Sequence, residues 1–374
     1  MTRADWVGRK PRPARGNGFV ARHAAKKPLC RPNLTTRRTH MPAPIEQFQG
    51  AISSIDIHGL MGLGRPLVIR GLVRDWPAVT LAQQSDTLFA RRLTELDNGT
   101  PVDTLLVPPG EGGVVGYNTD LSGFNYEHHR VSITQGLQRL AQYSREHSSA
   151  GLAIQSASIP ESLPGFMEEH AVPFLEPRIQ PRLWIGNKVV TPAHFDEYHN
   201  IACVICGRRK FTLLPPEQIA NLYIGPLDFA PTGAAISMAR LDRPDDPRFP
   251  KLKEALAHAQ ESVLEPGDAI YIPPLWWHHV ASLERLNALV NYWWKPSLEG
   301  VPATQSARGF LMHGLLSMRM LSPAEKAAWR HLLDYYIFGE ADPAAHIPAD
   351  KRGVLGALTP EVAEKLKQMV LQHL

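Results

Sequence analysis

Two stretches of this chain, about eighty residues apart, limit its possible folds more than anything else in it. The first is Thr191-Pro192-Ala193-His194-Phe195-Asp196-Glu197-Tyr198-His199-Asn200. Side chains at i and i+2 of a strand leave the same face, so His194 and Asp196 can converge on one cation, and Asn200 shares their parity. One imidazole, one carboxylate and a second imidazole from elsewhere suit a divalent iron that must keep open positions. The second stretch, Gly267-Asp268-Ala269-Ile270-Tyr271-Ile272-Pro273-Pro274-Leu275-Trp276-Trp277-His278-His279-Val280, reads as a turn, a buried strand and two adjacent histidines. Adjacent strand residues face opposite ways, so His278 and His279 cannot both reach the metal, and alternation does not choose between them.

With Leu289-Val290-Asn291-Tyr292-Trp293-Trp294 downstream and Arg65-Pro66-Leu67-Val68-Ile69-Arg70-Gly71-Leu72-Val73-Arg74-Asp75-Trp76-Pro77 upstream, these stretches resemble the cupin-like JmjC branch of Fe(II)/2-oxoglutarate-dependent dioxygenases. That branch includes the asparaginyl hydroxylase of the hypoxia response, and the likeness runs from about residue 45 to about residue 300. A lone His-x-Asp would be weak; the ordered set is specific. The resemblance implies a mainly β double-stranded β-helix, a jelly roll with flanking helices, and iron held by His194, Asp196 and His278. The co-substrates would be 2-oxoglutarate and dioxygen, with succinate and carbon dioxide as co-products.

Further roles follow from the same resemblance. Thr191 stands where a threonine bonds the distal carboxylate of 2-oxoglutarate, and Arg209 where a lysine is usual, with Lys210 beside it. Arginine can grip a carboxylate bidentately, which leaves the two cations able to exchange roles. Asn200, Asn291 and Trp293 match residues near the co-substrate, and Gln155 one near the substrate. Ala153 replaces a tyrosine whose hydroxyl bonds the co-substrate in the hypoxia-type enzyme. Tyr117 and Phe124 lie in a loop that helps wall the site; they could line a substrate mouth or simply pin the loop.

Charge is unevenly placed. Residues 1–40 carry eleven Lys or Arg against Asp5 alone, so the rest of a chain with formal charge +4 is slightly acidic. That argues against reading the basic balance as a nucleic-acid footprint on the fold. The tail, residues 1–44, reads as disordered, either a solvated extension or a segment upstream of a second start at Met41. It lacks the apolar core of a secretory signal, and no run of eighteen apolar residues marks a membrane span. Three cysteines without a framework fit a reducing cytoplasm. Cys203 and Cys206 read as buried thiols, since a strand sends residues three apart to opposite faces.

Strand patterns recur over 151–155, 182–185, 200–205, 210–214, 262–264, 269–272 and 287–293, as a jelly roll requires. Residues 80–95 and 132–147 carry helical spacing, and 216–261 reads as an insertion between the metal-bearing strands that roofs the site. Residues 301–374 turn helical. Ser322-Pro323-Ala324-Glu325 opens one helix and Thr359-Pro360-Glu361 another. Trp329, Leu333, Tyr336 and Ile337 fall at helical spacing as core or interface, so these helices form either a small bundle packed on the barrel or a dimerisation element like that of the hypoxia-type relatives, and a homodimer is the expectation. The function expected is hydroxylation of a C–H bond on a protein side chain or small molecule. The competing reading is a cupin-type metal-binding protein without turnover; a third makes the tail an RNA- or ribosome-directed arm.

Overall fold

The computed structural model describes residues 42–231, 233–296 and 307–373, so most of the basic tail and the expected boundary near residue 300 lie outside the described residues. Two sheets face each other. The larger, eight-stranded sheet runs in the order β2 (Leu67–Ile69), β11 (Ala269–Ile272), β8 (His199–Cys206), β13 (Asn287–Trp294), β6 (Pro181–Gly186), β5 (Gly151–Ser158), β3 (Val102–Val107) and β4 (Glu127–Val131). The smaller, five-stranded sheet runs β1 (Ala43–Pro44), β10 (Gln260–Leu264), β9 (Arg209–Leu214), β12 (Trp277–Ser282) and β7 (Val190–His194). Pairing is antiparallel except between β1 and β10. Hence the chain is ordered from at least Ala43, two residues inside the stretch expected to be tail.

The central strand β8 shows why the apolar run is continuous. Its residues alternate between two cores, and all eight are buried. Ile201 and Cys203 join Phe89, Leu93, Trp76, Ile133 and Leu137 under the helices that cover the outer face of the large sheet. Ala202 and Val204 join Phe211, Leu213, Ile270 and Leu289 between the sheets. A strand covered on both faces has no polar parity to show. Each large side chain so buried contributes roughly 1.5–3 kcal/mol.

Two expectations need correction. Residues 80–95 are not one helix. They divide into Pro77–Gln84 and Asp86–Leu96, because Ser85 is extended and its hydroxyl accepts from the Leu88 N–H, a serine N-cap that stops the first helix and starts the second. Cys203 and Cys206 do not point to opposite sides either. An irregularity where β8 meets β13 shifts the register, and both thiols enter the same cluster. They remain free and buried, and burial pushes the Cys206 thiol up to about 12, so neither is a reactive thiolate.

Residues beyond Leu214 build a satellite core of Leu222, Phe249, Leu252 and Ala255 against Trp277 on the outer face of the small sheet. The C-terminal helices Ala307–Met318, Pro323–Leu333 and Pro360–Leu371 bury no residue. Trp329, Tyr336 and Ile337 are all exposed, and the last two sit in a π-helical turn, Asp334–Phe338, that breaks the expected stripe. No helix among the described residues is long and apolar enough to cross a membrane.

Candidate metal and anion site

The site lies between the sheets, near one end of β7 and β12. His194 and His278 are cross-strand partners in the β7–β12 ladder, and their ring centroids are 4.1 Å apart. Asp196 follows β7, with Oδ2 3.6 Å from His278 Nε2. Ligand atoms of the three residues all lie within 4.8 Å of one another, the one such cluster found among the described residues. A carbonyl can only accept, so His194 Nδ1 donates to the Pro192 carbonyl (2.8 Å) and His278 Nδ1 to that of Trp276 (3.1 Å). In both rings Nδ1 is taken by a backbone bond and Nε2 is left for the site, the arrangement of metal-binding histidines. Burial, and next the neighbouring His194, hold His278 below the ordinary imidazole range, so the ring is neutral and able to ligate. Two imidazoles and a carboxylate fit a divalent iron with positions to spare.

The choice that alternation left open is settled by register. His278 and Val280 face the interior, whereas Trp277 and His279 face the insertion. Burial pushes His279 down to about 4, so it stays a neutral, inert imidazole.

From the three ligands a cavity of about 180 Å³ extends along the barrel axis. Thr191, Asn200, Arg209, Asn291, Trp293 and Gln155 all line it, as the sequence led us to expect. The wall between them is apolar, formed by Phe211, Ile272, Val280 and Leu289. Arg209 is the decisive residue. Its guanidinium is buried, its Nε has no hydrogen-bond partner among the described residues, and its Nη2 donates a long bond of 3.4 Å to the Trp184 carbonyl. Burial pulls its pKa down to about 10, still far too high to lose the charge near neutrality. A buried cation without a carboxylate partner costs several kcal/mol, roughly, unless an anion completes it.

Lys210 does not share this role. It is the next residue of β9 and so leaves the opposite face, where it pairs with Glu261 at 2.9 Å. Tyr117 and Phe124 are not in the cavity lining either. They stack with Phe229, and the Tyr117 hydroxyl donates to the Phe229 carbonyl at 2.6 Å, so they clamp the loop to the insertion. The insertion itself does reach the site: Ala234 lines the cavity and Ile236 bridges His194. Ala153 packs among Leu105, Val107, Val115 and Val189, so no hydroxyl arises at that position.

Besides the apolar wall, two lining residues with polar groups were not anticipated. Ser156 sits at an irregularity of β5 with φ of 47°, a conformation costly for a residue with a Cβ, and brings a hydroxyl to the cavity beside Gln155. Trp184, on β6, donates its indole N–H to Asn291 Oδ1 at 2.9 Å. Neither carries a motif. Parity along Pro181–Gly186 was the one signal for Trp184, and a bulge leaves none for Ser156.

Comparison with known proteins agrees with this geometry. Residues 54–300 match the cupin-like domain family. Jumonji C domain-containing protein 5 of Drosophila melanogaster is 26% identical over 297 residues, 75% of this chain and 66% of that protein. Lysine-specific demethylase JMJ31 of Arabidopsis thaliana is 29% identical over 143 residues, 38% of this chain and 25% of its own. HSPB1-associated protein 1 of Homo sapiens is 34% identical over 113 residues, 30% of this chain and 22% of its own. The chain thus spans just under two thirds of the first relative and a quarter or less of the other two.

Proposed function

This chain belongs to the cupin-like family, among JmjC-type proteins, and from that premise we propose that it is an Fe(II)- and 2-oxoglutarate-dependent oxygenase that hydroxylates a C–H bond of a protein side chain or a small molecule. The observation that carries the reading is the unpaired, buried Arg209 guanidinium in the same cavity as His194, Asp196 and His278. A site that merely held a metal would have no use for it. A dicarboxylate with a 2-oxo group would use both ends, one on the metal and one on Arg209 and Thr191. Iron, 2-oxoglutarate and dioxygen would together supply the oxidising chemistry, one oxygen atom going to the C–H bond and the other to succinate as carbon dioxide leaves.

The chain's own residues do the rest. Arg209 offers a fork of N–H donors matched to a carboxylate, and Thr191 adds a hydroxyl in the same cavity lining. Phe211, Val280 and Leu289 keep water from the space between. Gln155 and Ser156, also in the lining, are the groups placed to meet a substrate. Relatives named lysine-specific demethylases are compatible with this activity, since loss of an N-methyl group also begins with hydroxylation of a C–H bond.

The test is succinate formation by the purified protein given Fe(II), ascorbate and 2-oxoglutarate under air, with His194→Ala as control. Succinate that disappears in the variant supports the reading. Absence of succinate, together with failure of 2-oxoglutarate to bind the anaerobic Fe(II) protein, sinks it in favour of a binding protein.

We propose too that the protein is a homodimer through its C-terminal helices. Phe310, Leu315, Leu316, Trp329, Leu332, Tyr336, Ile337 and Phe338 leave an apolar surface far beyond scattered exposure, and a second copy would cover it. Light scattering should give twice the chain mass, and Leu316→Glu with Ile337→Glu should halve it; a monomeric wild type would refute the assembly.

A further inference from the structure

A line of hydrogen bonds crosses three strands of the large sheet on a slant, displaced two residues at each step, and ends on a residue of the metal cluster. Trp184 on β6 donates to Asn291 Oδ1 on β13 (2.9 Å), Asn291 Nδ2 to Asn200 Oδ1 on β8 (3.3 Å), and Asn200 Nδ2 to Asp196 Oδ2 (3.5 Å). Trp293 Nε1 reaches the same Oδ2 at 3.0 Å, and its ring meets that of Trp184 edge to face. Direction along this line is forced by its ends. An indole N–H can only donate and an ionised carboxylate can only accept, so both amides between them have one permitted orientation. Each amide nitrogen then keeps a second N–H, and both side chains line the cavity. A flipped amide would turn lone pairs toward the space where an anion is expected.

We propose that Trp184 is a positioning residue. Through Asn291 and Asn200 it holds Asp196 Oδ2, the oxygen that stands 3.6 Å from His278 Nε2, and keeps the cavity side of both amides donating to an anionic 2-oxo acid. The second half of this inference rests on the oxygenase reading; the first half, the grip on Asp196, does not.

Two substitutions separate the N–H from the bulk. Trp184→Phe keeps an aromatic ring and loses the donor. Trp184→His loses the benzo ring but keeps an N–H at the same place in the five-membered ring. Co(II) affinity, the Co(II) absorption bands and 2-oxoglutarate affinity would be measured anaerobically, with thermal midpoints alongside. Loss of the relay predicts binding of metal and co-substrate weaker by roughly tenfold in Trp184→Phe, with shifted Co(II) bands, and values nearer wild type in Trp184→His. Wild-type affinities and bands in Trp184→Phe, or a larger loss in the histidine variant, would overturn the proposal in favour of packing alone. Should Trp184→Phe be unstable, the cycle with Asn291→Leu decides: a relay leaves Trp184→Phe without further effect on Co(II) affinity in that background, whereas a packing role leaves its effect undiminished. A wild type that takes up Co(II) but no 2-oxoglutarate would refute the oxygenase reading and with it the co-substrate half, and the Co(II) bands would still judge the grip on Asp196.

Discussion

The two faces of the small sheet are built from the same two strands and nearly the same residue types, yet they serve different ends. The inner face presents His278 and Arg209, the outer face their neighbours His279 and Lys210. Outside, Lys210 and Thr212 both meet Glu261, and His279 lies neutral beneath the insertion with its Nδ1 unpaired. Inside, Arg209 is unpaired as well. The two orphans are not equivalent. An imidazole can discard its charge and leave one missing hydrogen bond, at roughly 1–3 kcal/mol, whereas a guanidinium cannot discard its charge near neutrality. Only the permanent charge calls for a ligand.

The comparison can be broken first at the histidines, where the effect is largest. His278→Ala should lower metal affinity by more than about a hundredfold, beyond what loss of a supporting contact does. His279→Ala should leave it within a few-fold, as calorimetry with Co(II) would show; equal losses would mean that the faces have been misassigned. The cations come next. Arg209→Met should weaken 2-oxoglutarate binding by roughly 1.5–3 kcal/mol, the range for hydrogen bonds to charged groups, and should raise the thermal midpoint of the unliganded protein if the buried charge is a net cost. Lys210→Met should change binding little and stability by no more than about 1 kcal/mol, because its ion pair is partly exposed. Acid sets the smallest difference. His279 titrates near 6.5 when unfolded and near 4 when folded, so its contribution is intact above pH 6.5 and is lost as pH falls toward 4. His279→Gln should therefore flatten the fall in urea midpoint between pH 7 and pH 4, and an unchanged slope would place acid sensitivity elsewhere, for instance at His170, which burial also holds below its ordinary range.

How much of this could be read in advance depended on whether alternation was enough. It was for Asn291 and Trp293, which share a face of β13 and line one cavity; His194, Asp196 and Asn200 line it too, but from the end of β7, the turn after it and β8, so one strand's alternation does not account for them. It failed at Arg209 and Lys210, since the resemblance offered two adjacent cations and nothing local to Gly207-Arg208 fixed which began the inward series. Register with β12 decided it, pairing Lys210 with Ala281 and Arg209 with Ser282. Irregular backbone was illegible: the bulge that brings Ser156 inward, the break at Ser85 and the shift that unites Cys203 with Cys206 follow from partner strands and caps, not from period. The C-terminal helices were legible as elements, through their capping serine and threonine, but a stripe of apolar residues does not say which surface will cover it.

The pairing of His194 with His278 across the β7–β12 ladder has one more consequence. An ion there is a clasp between two points about eighty residues apart in the chain, and it closes a loop containing the whole insertion. Closing a loop of that length removes much of the freedom of the unfolded chain, with only a slow dependence on its exact size. The ion would therefore slow departure from the native state as well as serve chemistry, since β7 is an edge strand and the first expected to peel. Protease should nick the insertion of the metal-free protein sooner than that of the loaded one, and hydrogen exchange along Val190–His194 should record the same opening.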